Sequence, residues 1–121
     1  MLKHSLEVIF HRVHAQGLKM QEMNEYLLAI VCKPAQEELV IDWLLTREGL
    51  TGFTSMSIDG HGVQGSHLSL SEQVTGRQHR LLFQIHAQLP LLKNIIQTLK
   101  EDFAGTGLHY WLTPLLEAGH L

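Results

Sequence analysis

Apolar residues recur along the chain at two different spacings, and these spacings predict the order of strands and helices. An unbroken apolar stretch at 26–32 is typical of a central strand covered on both faces. Alternating apolar and polar residues at 53–58 and 81–86 predict the two arms of a long antiparallel hairpin. The stretch 108–113, closed by Pro114, predicts the last strand.

Two amphipathic helices are predicted between these strands, because apolar residues there recur every three or four positions. The first is entered at Pro34 and ends before Gly49, and the second is entered at Pro90 and ends before Gly105. The expected buried faces are Leu39, Val40, Trp43 and Leu44 in the first, and Leu91, Leu92, Ile95, Ile96, Leu99 and Phe103 in the second.

A further amphipathic helix is predicted before the first strand, followed by a linker at 17–24, so that 1–24 is separate from a domain at 25–121. Its apolar stripe consists of Leu2, Leu6, Ile9, Phe10 and Val13. Its opposite face carries His4, Glu7, His11 and His14. That face is either an ordinary solvated surface or, by its spacing, a place where neighbouring imidazoles reach one metal ion.

The order after the N-terminal helix is β-α-β-β-α-β, which predicts an α+β fold: a ferredoxin-like sandwich of four strands under two helices. One face of such a sheet carries no helices. We expect either a homotrimer that packs these faces together or a monomer with the N-terminal helix laid over the sheet. The residues expected to be shared between subunits are Tyr26, Leu28, Met56, Leu82, Tyr110 and Trp111.

Composition narrows the classes of function. A chain of 121 residues with a formal charge of -3 and no stripe of basic residues does not predict nucleic-acid binding. No apolar run reaches the roughly 20 residues that span a bilayer, so we expect a cytoplasmic protein without direct membrane insertion. The single cysteine, Cys32, lies in an apolar run and is expected to be a small buried residue. Nine histidines are the unusual feature.

The stretch Gly60-His61-Gly62-Val63-Gln64-Gly65-Ser66-His67 begins a long connection that runs to Arg77. Its glycines allow left-handed backbone conformations and close approach of a ligand or a second chain. Connections of this length inside a compact domain are usually functional or disordered. We therefore predict that 60–77 is the functional loop and the most mobile part of the domain.

Several of these motifs resemble the PII signal-transduction superfamily in sequence and order. Ile30-Val31-Cys32-Lys33-Pro34 and Gly49-Leu50-Thr51-Gly52-Phe53-Thr54 resemble its first strand and its entry to the second strand. Gly60-His61-Gly62-Val63-Gln64-Gly65 resembles the start of its T-loop, Gly-x-Gly-Arg-Gln-x-Gly, but is one residue shorter. The resemblance implies a trimer that binds effectors in clefts between subunits. The implied effector-binding residues are Gly60, Gly62, Gln64 and Gly65, with Arg77 or Arg80 as the cation at the loop exit.

The chain departs from the PII pattern at the cations that hold ATP. Gly105-Thr106-Gly107-Leu108 has a leucine where the resemblance implies a lysine, and no arginine follows Arg80. Phosphate recognition normally depends on such charged donors, so we expect ATP to bind weakly or not at all. The loop also has no tyrosine to accept a nucleotidyl group.

A PII-like core with a histidine-bearing loop also resembles divergent PII-like proteins that accompany heavy-metal efflux systems, and the related CutA family. This resemblance implies a membrane transporter or efflux pump as partner, and copper or zinc as a metal ligand of His61, His67 and His79. The alternative for each histidine is plain surface exposure.

Two functions therefore remain open. The first is a non-enzymatic regulatory trimer that senses a small effector or a metal ion through the 60–77 loop and the subunit clefts. The second is a CutA-like module that binds or buffers copper or zinc. An enzyme is the least expected class, because the sequence shows no catalytic triad in a plausible context, no paired carboxylates on a rigid element and no complete cofactor fingerprint.

Overall fold

The computed structural model describes residues 25–62 and 76–121. The predicted N-terminal helix and linker, and the loop positions Gln64, Gly65 and His67, lie outside the described residues, as does the greater part of the loop expected to be mobile. The described chain has the predicted order of elements, which are β1 (Glu25–Cys32), a 3-10 turn (Pro34–Gln36), α1 (Glu37–Leu45), β2 (Thr54–Gly60), β3 (Gln78–Gln88), α2 (Leu89–Asp102) and β4 (His109–Pro114).

The four strands form one antiparallel sheet in the order β2-β3-β1-β4. Each helix connects two strands that are separated by a third, which lies between them. This is the ferredoxin-like β-α-β-β-α-β sandwich that the sequence predicts. Because β2 and β3 are neighbours along the chain and in the sheet, the loop between them leaves from one end of the hairpin.

The core lies between the sheet and the two helices. Leu28 and Ile30 of β1 and Phe83 and Ile85 of β3 are fully buried on this side of the sheet. They pack with the helix residues Val40, Leu44, Leu92, Ile95 and Leu99. Burial of each such side chain contributes about 1.5–3 kcal/mol, so alternate positions of the central strands fix which face carries the helices.

Trp43 joins the end of α1 to the end of α2. Its ring meets the edge of Phe103 with 5.4 Å between centroids, and its indole N–H donates to a carboxylate oxygen of Asp102 at 2.7 Å. The guanidinium of Arg47 lies 4.2 Å above the same ring. The contacts combine apolar packing with a satisfied polar tip, which is how a partly buried tryptophan normally contributes to a fold.

The structure corrects two assignments of faces. Leu39 was expected in the buried face of the first helix, yet it is 60% exposed, because the buried face of α1 is centred on Val40 and Leu44 and Leu39 lies about a third of a turn away from that centre. Of the six residues expected on the open face, Tyr26, Leu28 and Tyr110 lie on the helix side. Leu28 is fully buried there and Tyr110 pairs with Ile30. Met56, Leu82 and Trp111 do lie on the open face, since side chains alternate along a strand.

Two leucines of α1 test this arrangement. Leu44→Ala should lower the free energy of unfolding by about 2–5 kcal/mol, because it leaves a cavity in a fully buried site. Leu39→Ala removes the same atoms from an exposed site and should change it by no more than about 0.5 kcal/mol. Urea unfolding of both variants measures the difference, and equal losses would show that Leu39 is packed after all.

Candidate functional site

A cleft of about 860 Å³ opens on the face of the sheet that has no helices. It lies where β1 and β2 end and β3 and β4 begin, beside the point at which the glycine-rich loop leaves β2. Its lining consists of Val31, Cys32, Lys33, Ile58, Gly60, His61, Gly62, Gln78, Arg80, Gly107, His109 and Trp111. The cleft therefore has an apolar floor from the sheet and a polar rim from the strand ends.

The charged groups of the rim have one sign. Lys33 and Arg80 are cations at neutral pH, and the imidazoles of His61 and His109 add positive charge when protonated. Among the described residues that line the cleft, none is an aspartate or a glutamate. In a chain with a formal charge of -3, this places positive potential at one location on an acidic protein.

Gly60 and Gly62 border the cleft without the left-handed backbone that glycine allows. The positive φ angles among the described glycines occur at Gly49, Gly76, Gly105 and Gly107, so neither Gly60 nor Gly62 uses left-handed backbone. A Cβ atom on Gly62 would lie 3.3 Å from Nε2 of Gln78, and one on Gly60 would meet Gln78 at ordinary contact distances of 3.6–3.7 Å. Gly62 therefore makes room for the Gln78 side chain, whereas the position of Gly60 would accept a methyl group.

Arg80 is held at the rim by two acceptors. Its Nη1 donates to the main-chain oxygen of His79 at 2.7 Å, and its Nη2 lies 3.4 Å from Oε1 of Gln78. Gln78 and Arg80 are two residues apart on β3, so both side chains point to the open face. The guanidinium thus enters the cleft in a supported position.

Asp59 marks the opposite side of the same hairpin end. It pairs with His79 across the strands, with 3.0 Å between Oδ1 and Nδ1, and lies 3.7 Å from the guanidinium of Arg77. His79 shares its strand face with Leu81, which belongs to the core, so this cluster lies on the helix side. The described residues therefore bring the predicted Gly60, His61, Gly62 and Arg80 together at the cleft and place Arg77 and His79 away from it.

Four lining residues were not singled out from the sequence: Lys33, Gln78, His109 and Trp111. Trp111 had been assigned to a subunit interface, and the others to no role. Only the strand register shows that the end of β1 lies between the start of β3 and the start of β4. The alternation of apolar and polar residues along β3 can be read in the sequence. Extending it back by two positions from Arg80 identifies Gln78 as a residue on the same face.

Cys32, at the end of β1, is 2% exposed. Burial raises the pKa of its thiol above the ordinary value of 9.0, the carboxylate of Glu37 raises it further, and Arg80 opposes the rise. The thiol is therefore protonated at neutral pH, which suits a small core residue better than a nucleophile.

Metal donors are spread out in the described part of the chain. Residues 25–62 and 76–121 contain no group of three or more histidine, cysteine, aspartate or glutamate side chains arranged to hold an ion. His67 belongs to the predicted metal set and lies outside those ranges, so binding at His61, His67 and His79 stays a prediction.

A second depression, of about 640 Å³, lies at the other end of the open face, where the C-terminal tail returns to the sheet. Glu25 and His86 line it and form an ion pair with each other, and His120 of the tail is nearby. A carboxylate belongs to its lining, which distinguishes it from the cationic cleft. Within the described ranges, neither helix has the length and apolar character that crossing a membrane requires.

Comparison with solved structures identifies the class of this fold. CPII of Thiomonas intermedia, a nitrogen regulatory PII-like protein bound to ADP, AMP and bicarbonate, covers 81% of this chain and 97% of its own at 16% identity and a TM-score of 0.59. The Bacillus subtilis GlnK–ATP complex covers 77% and 85% at 21% identity and a TM-score of 0.54. The chain has the PII-like fold, as the resemblance in its motifs implied.

Within that class, the chain belongs to the DUF3240 family, described as a protein of unknown function, whose model matches residues 22–121. A DUF3240 family protein from Shewanella baltica covers 80% of this chain and 96% of its own, at 21% identity and a TM-score of 0.63. No curated protein matches the sequence. The protein is therefore a member of DUF3240 that has the PII-like fold.

The raised pKa of Cys32 predicts how stability depends on pH. In the unfolded chain the thiol ionises near 9.0, whereas in the folded chain it stays protonated to higher pH. The contribution of this thiol to the free energy of unfolding is fully present below pH 9.0. It is lost as the pH rises toward the pKa of the folded state, by less than about 1.4 kcal/mol per pH unit. Cys32→Ala should therefore have a shallower loss of unfolding free energy between about pH 8 and pH 10.5 in urea titrations. Parallel profiles would show that the thiol ionises equally in both states.

Proposed function

We propose that this protein is a non-enzymatic PII-like regulator that binds a small anionic effector in the cationic cleft and reports it through the adjoining 60–77 loop. The observation that carries the proposal is the rim of the cleft, in which Lys33, Arg80 and two imidazoles converge and the described lining contributes no carboxylate. A ligand of negative charge is attracted there, and its oxygens find charge-assisted donors.

The number of cations favours a small anion over a nucleoside triphosphate. Leu108 follows the turn at Gly105 and Gly107 where the PII pattern implies a lysine, so Lys33 and Arg80 are the permanent cations of the described lining. Two cations match an anion with one or two charges and leave a triphosphate largely uncompensated. The ligands of CPII include bicarbonate as well as nucleotides, which supports small anions as a class to which this fold can bind.

A regulatory role is supported by the position of the cleft relative to the loop. Gly60 and Gly62 belong both to the lining and to the segment where the chain leaves β2. A ligand bound there contacts the loop entry directly, and ordering of a loop on binding is a common way to signal to a partner. CPII is described as a nitrogen regulatory PII-like protein, which also favours a regulatory role.

A homotrimer is the assembly we propose, with a membrane transporter or a heavy-metal efflux pump as the partner. The open face presents Leu27, Val31, Met56, Leu82 and Trp111, and Trp111 is 49% exposed in a single chain. An apolar face of a two-layer sandwich is normally covered in the functional assembly. A closed ring of three subunits covers it symmetrically and turns the cationic clefts toward neighbouring subunits.

Metal binding is the second candidate function, and it would require the cleft to attract a cation instead of an anion. His61 and His109 line the same site, and neutral imidazoles suit copper or zinc. Such a site needs about four ligands, so His67 or a neighbouring subunit would have to supply the others. Lys33 and Arg80 repel a cation, which is why we place the anion first.

Calorimetric titration with bicarbonate, inorganic phosphate, AMP, ADP, ATP, Zn²⁺ and Cu²⁺ tests the choice of ligand. A small anion should bind more tightly than ATP. Arg80→Gln should weaken that binding by about tenfold or more, because it removes a charged donor. Lys93→Gln removes the same charge from an exposed position on α2 and should have little effect.

Two results would contradict the anion proposal: tight binding of Zn²⁺ or Cu²⁺ with no response to anions, or anion binding that survives Arg80→Gln.

The trimer is tested by placing a charge on the open face. The wild-type protein should scatter light as three chains of 13.7 kDa, and Trp111→Glu should reduce the mass toward that of one chain, because a buried unpaired carboxylate destabilises an interface. Leu39→Glu makes the same kind of change on the exposed side of α1 and should leave the mass unchanged. A wild-type monomer at micromolar concentration would overturn the assembly.

A further inference from the structure

We infer that Gln78 is a positioning residue that couples the loop entry at Gly62 to the guanidinium of Arg80, so that the backbone at Gly62 and an anion at Arg80 influence each other. The inference deepens the proposed function and rests on it for the identity of the ligand. The coupling itself is a property of the protein without ligand.

Gln78 touches both ends of this connection. It is the first residue of β3 and pairs with Gly60, the last residue of β2. Its side chain lies so near the loop entry that a Cβ atom on Gly62 would be 3.3 Å from Nε2. Its Oε1 lies 3.4 Å from Nη2 of Arg80. One carboxamide therefore fills the space between the loop entry and the cation of the cleft.

The hydrogen-bonding capacity of the groups fixes the orientation of the carboxamide. A guanidinium has donors and no acceptor, so it is the amide oxygen of Gln78 that must face Arg80. The amide NH₂ is then directed toward Gly62. Turning the carboxamide over would bring its NH₂ against a cation, which costs the hydrogen bond and adds repulsion.

The contact of Arg80 with Gln78 is the one that a shift of Gln78 changes directly. Nη1 of Arg80 is bound at 2.7 Å to the main-chain oxygen of His79, which the strand keeps in place. The contact of Nη2 with Gln78 is longer, and so it yields more readily than the bond to His79. If Gln78 moves, the surroundings of the guanidinium change at Nη2 while the bond to His79 persists.

The same contacts work in the other direction. An anion that binds Arg80 favours one orientation of the guanidinium, and hence one position of Gln78. Gly62 must then keep the backbone conformation that accommodates Gln78, because the amide of Gln78 lies beside it. Coupling between two sites is reciprocal, so the loop conformation also alters anion affinity by the same factor.

The test combines two matched glycine substitutions with removal of the amide. Gly62→Ala places a methyl group 3.3 Å from Nε2, which requires Gln78 to move by a few tenths of an ångström, whereas Gly60→Ala makes only ordinary contacts. The first readout is the NMR resonance of the Arg80 Nε–H group without ligand. The second is affinity for inorganic phosphate or bicarbonate, whichever binds the wild type.

We expect Gly62→Ala and Gln78→Ala each to shift the Arg80 resonance, and Gly62→Ala to cause no further shift in the Gln78→Ala background. Gly60→Ala and Gln84→Ala, a same-face change further along β3, should leave the resonance in place. Anion affinity should fall by about three- to tenfold in the two active variants and change by less than about twofold in the controls.

Additive shifts from Gly62→Ala and Gln78→Ala, or no shift from either, would overturn the coupling. Melting temperatures identify a variant that fails to fold, and Gln78→Thr then replaces Gln78→Ala, because it also removes the carboxamide and suits a strand position. If the resonances behave as expected while no anion binds even the wild type, the coupling stands and the proposed effector class is wrong.

Discussion

The burial of alternate β3 residues is the constraint on which the cleft depends. Leu81, Phe83 and Ile85 are anchored under the helices, and strand geometry then sends Gln78 and Arg80 to the opposite face. A slip of one residue would expose the core set and carry Arg80 to the helix side. The hydrophobic core therefore determines where the cation lies, although no core residue touches it.

The same alternation divides the end of the hairpin into two chemically distinct sides. On the helix side, Asp59 lies beside His79 and Arg77 near the loop. On the open side, Gln78 and Arg80 lie in the same cleft as Lys33, and the described lining contains no carboxylate. The acidic side chain of β2, Asp59, therefore does not belong to the lining of the cleft.

The order of strands and helices could be predicted from periodicity. The contacts of the core join distant segments, but the spacing of buried residues is visible within each segment. Each central strand and each helix records its buried side in its own spacing. The faces of the edge strands were harder to predict. Tyr110 and Trp111 are consecutive and therefore cannot share one face of β4, but both are large aromatic residues and both were predicted at the interface. Leu39 was misplaced because a leucine about a third of a turn from the centre of the buried face still fits a helical spacing, and the spacing alone does not show where that centre lies.

The sequence identified only some of the residues of the candidate site, for a related reason. The glycine-rich motif drew attention to Gly60 and Gly62, but their role depends on Gln78, which lies sixteen or more residues further along the chain. Lys33 and His109 come from still more distant strands. Pairings of this kind follow from sheet register, and register is set by which residues are buried together and not by any one segment.

Shape and charge have separate origins in this fold, which explains how a PII-like architecture can accommodate a different ligand. The cleft is formed by the ends of four strands, and its shape persists as long as the core holds those strands in register. Its charge depends on a few rim side chains that contribute little to the core. With Leu108 in place of a lysine, the fold keeps the cleft but lowers its countercharge. In the proposed function, Lys33 and Arg80 match an anion of low charge, and the choice of ligand class rests on this match because the fold alone does not supply one.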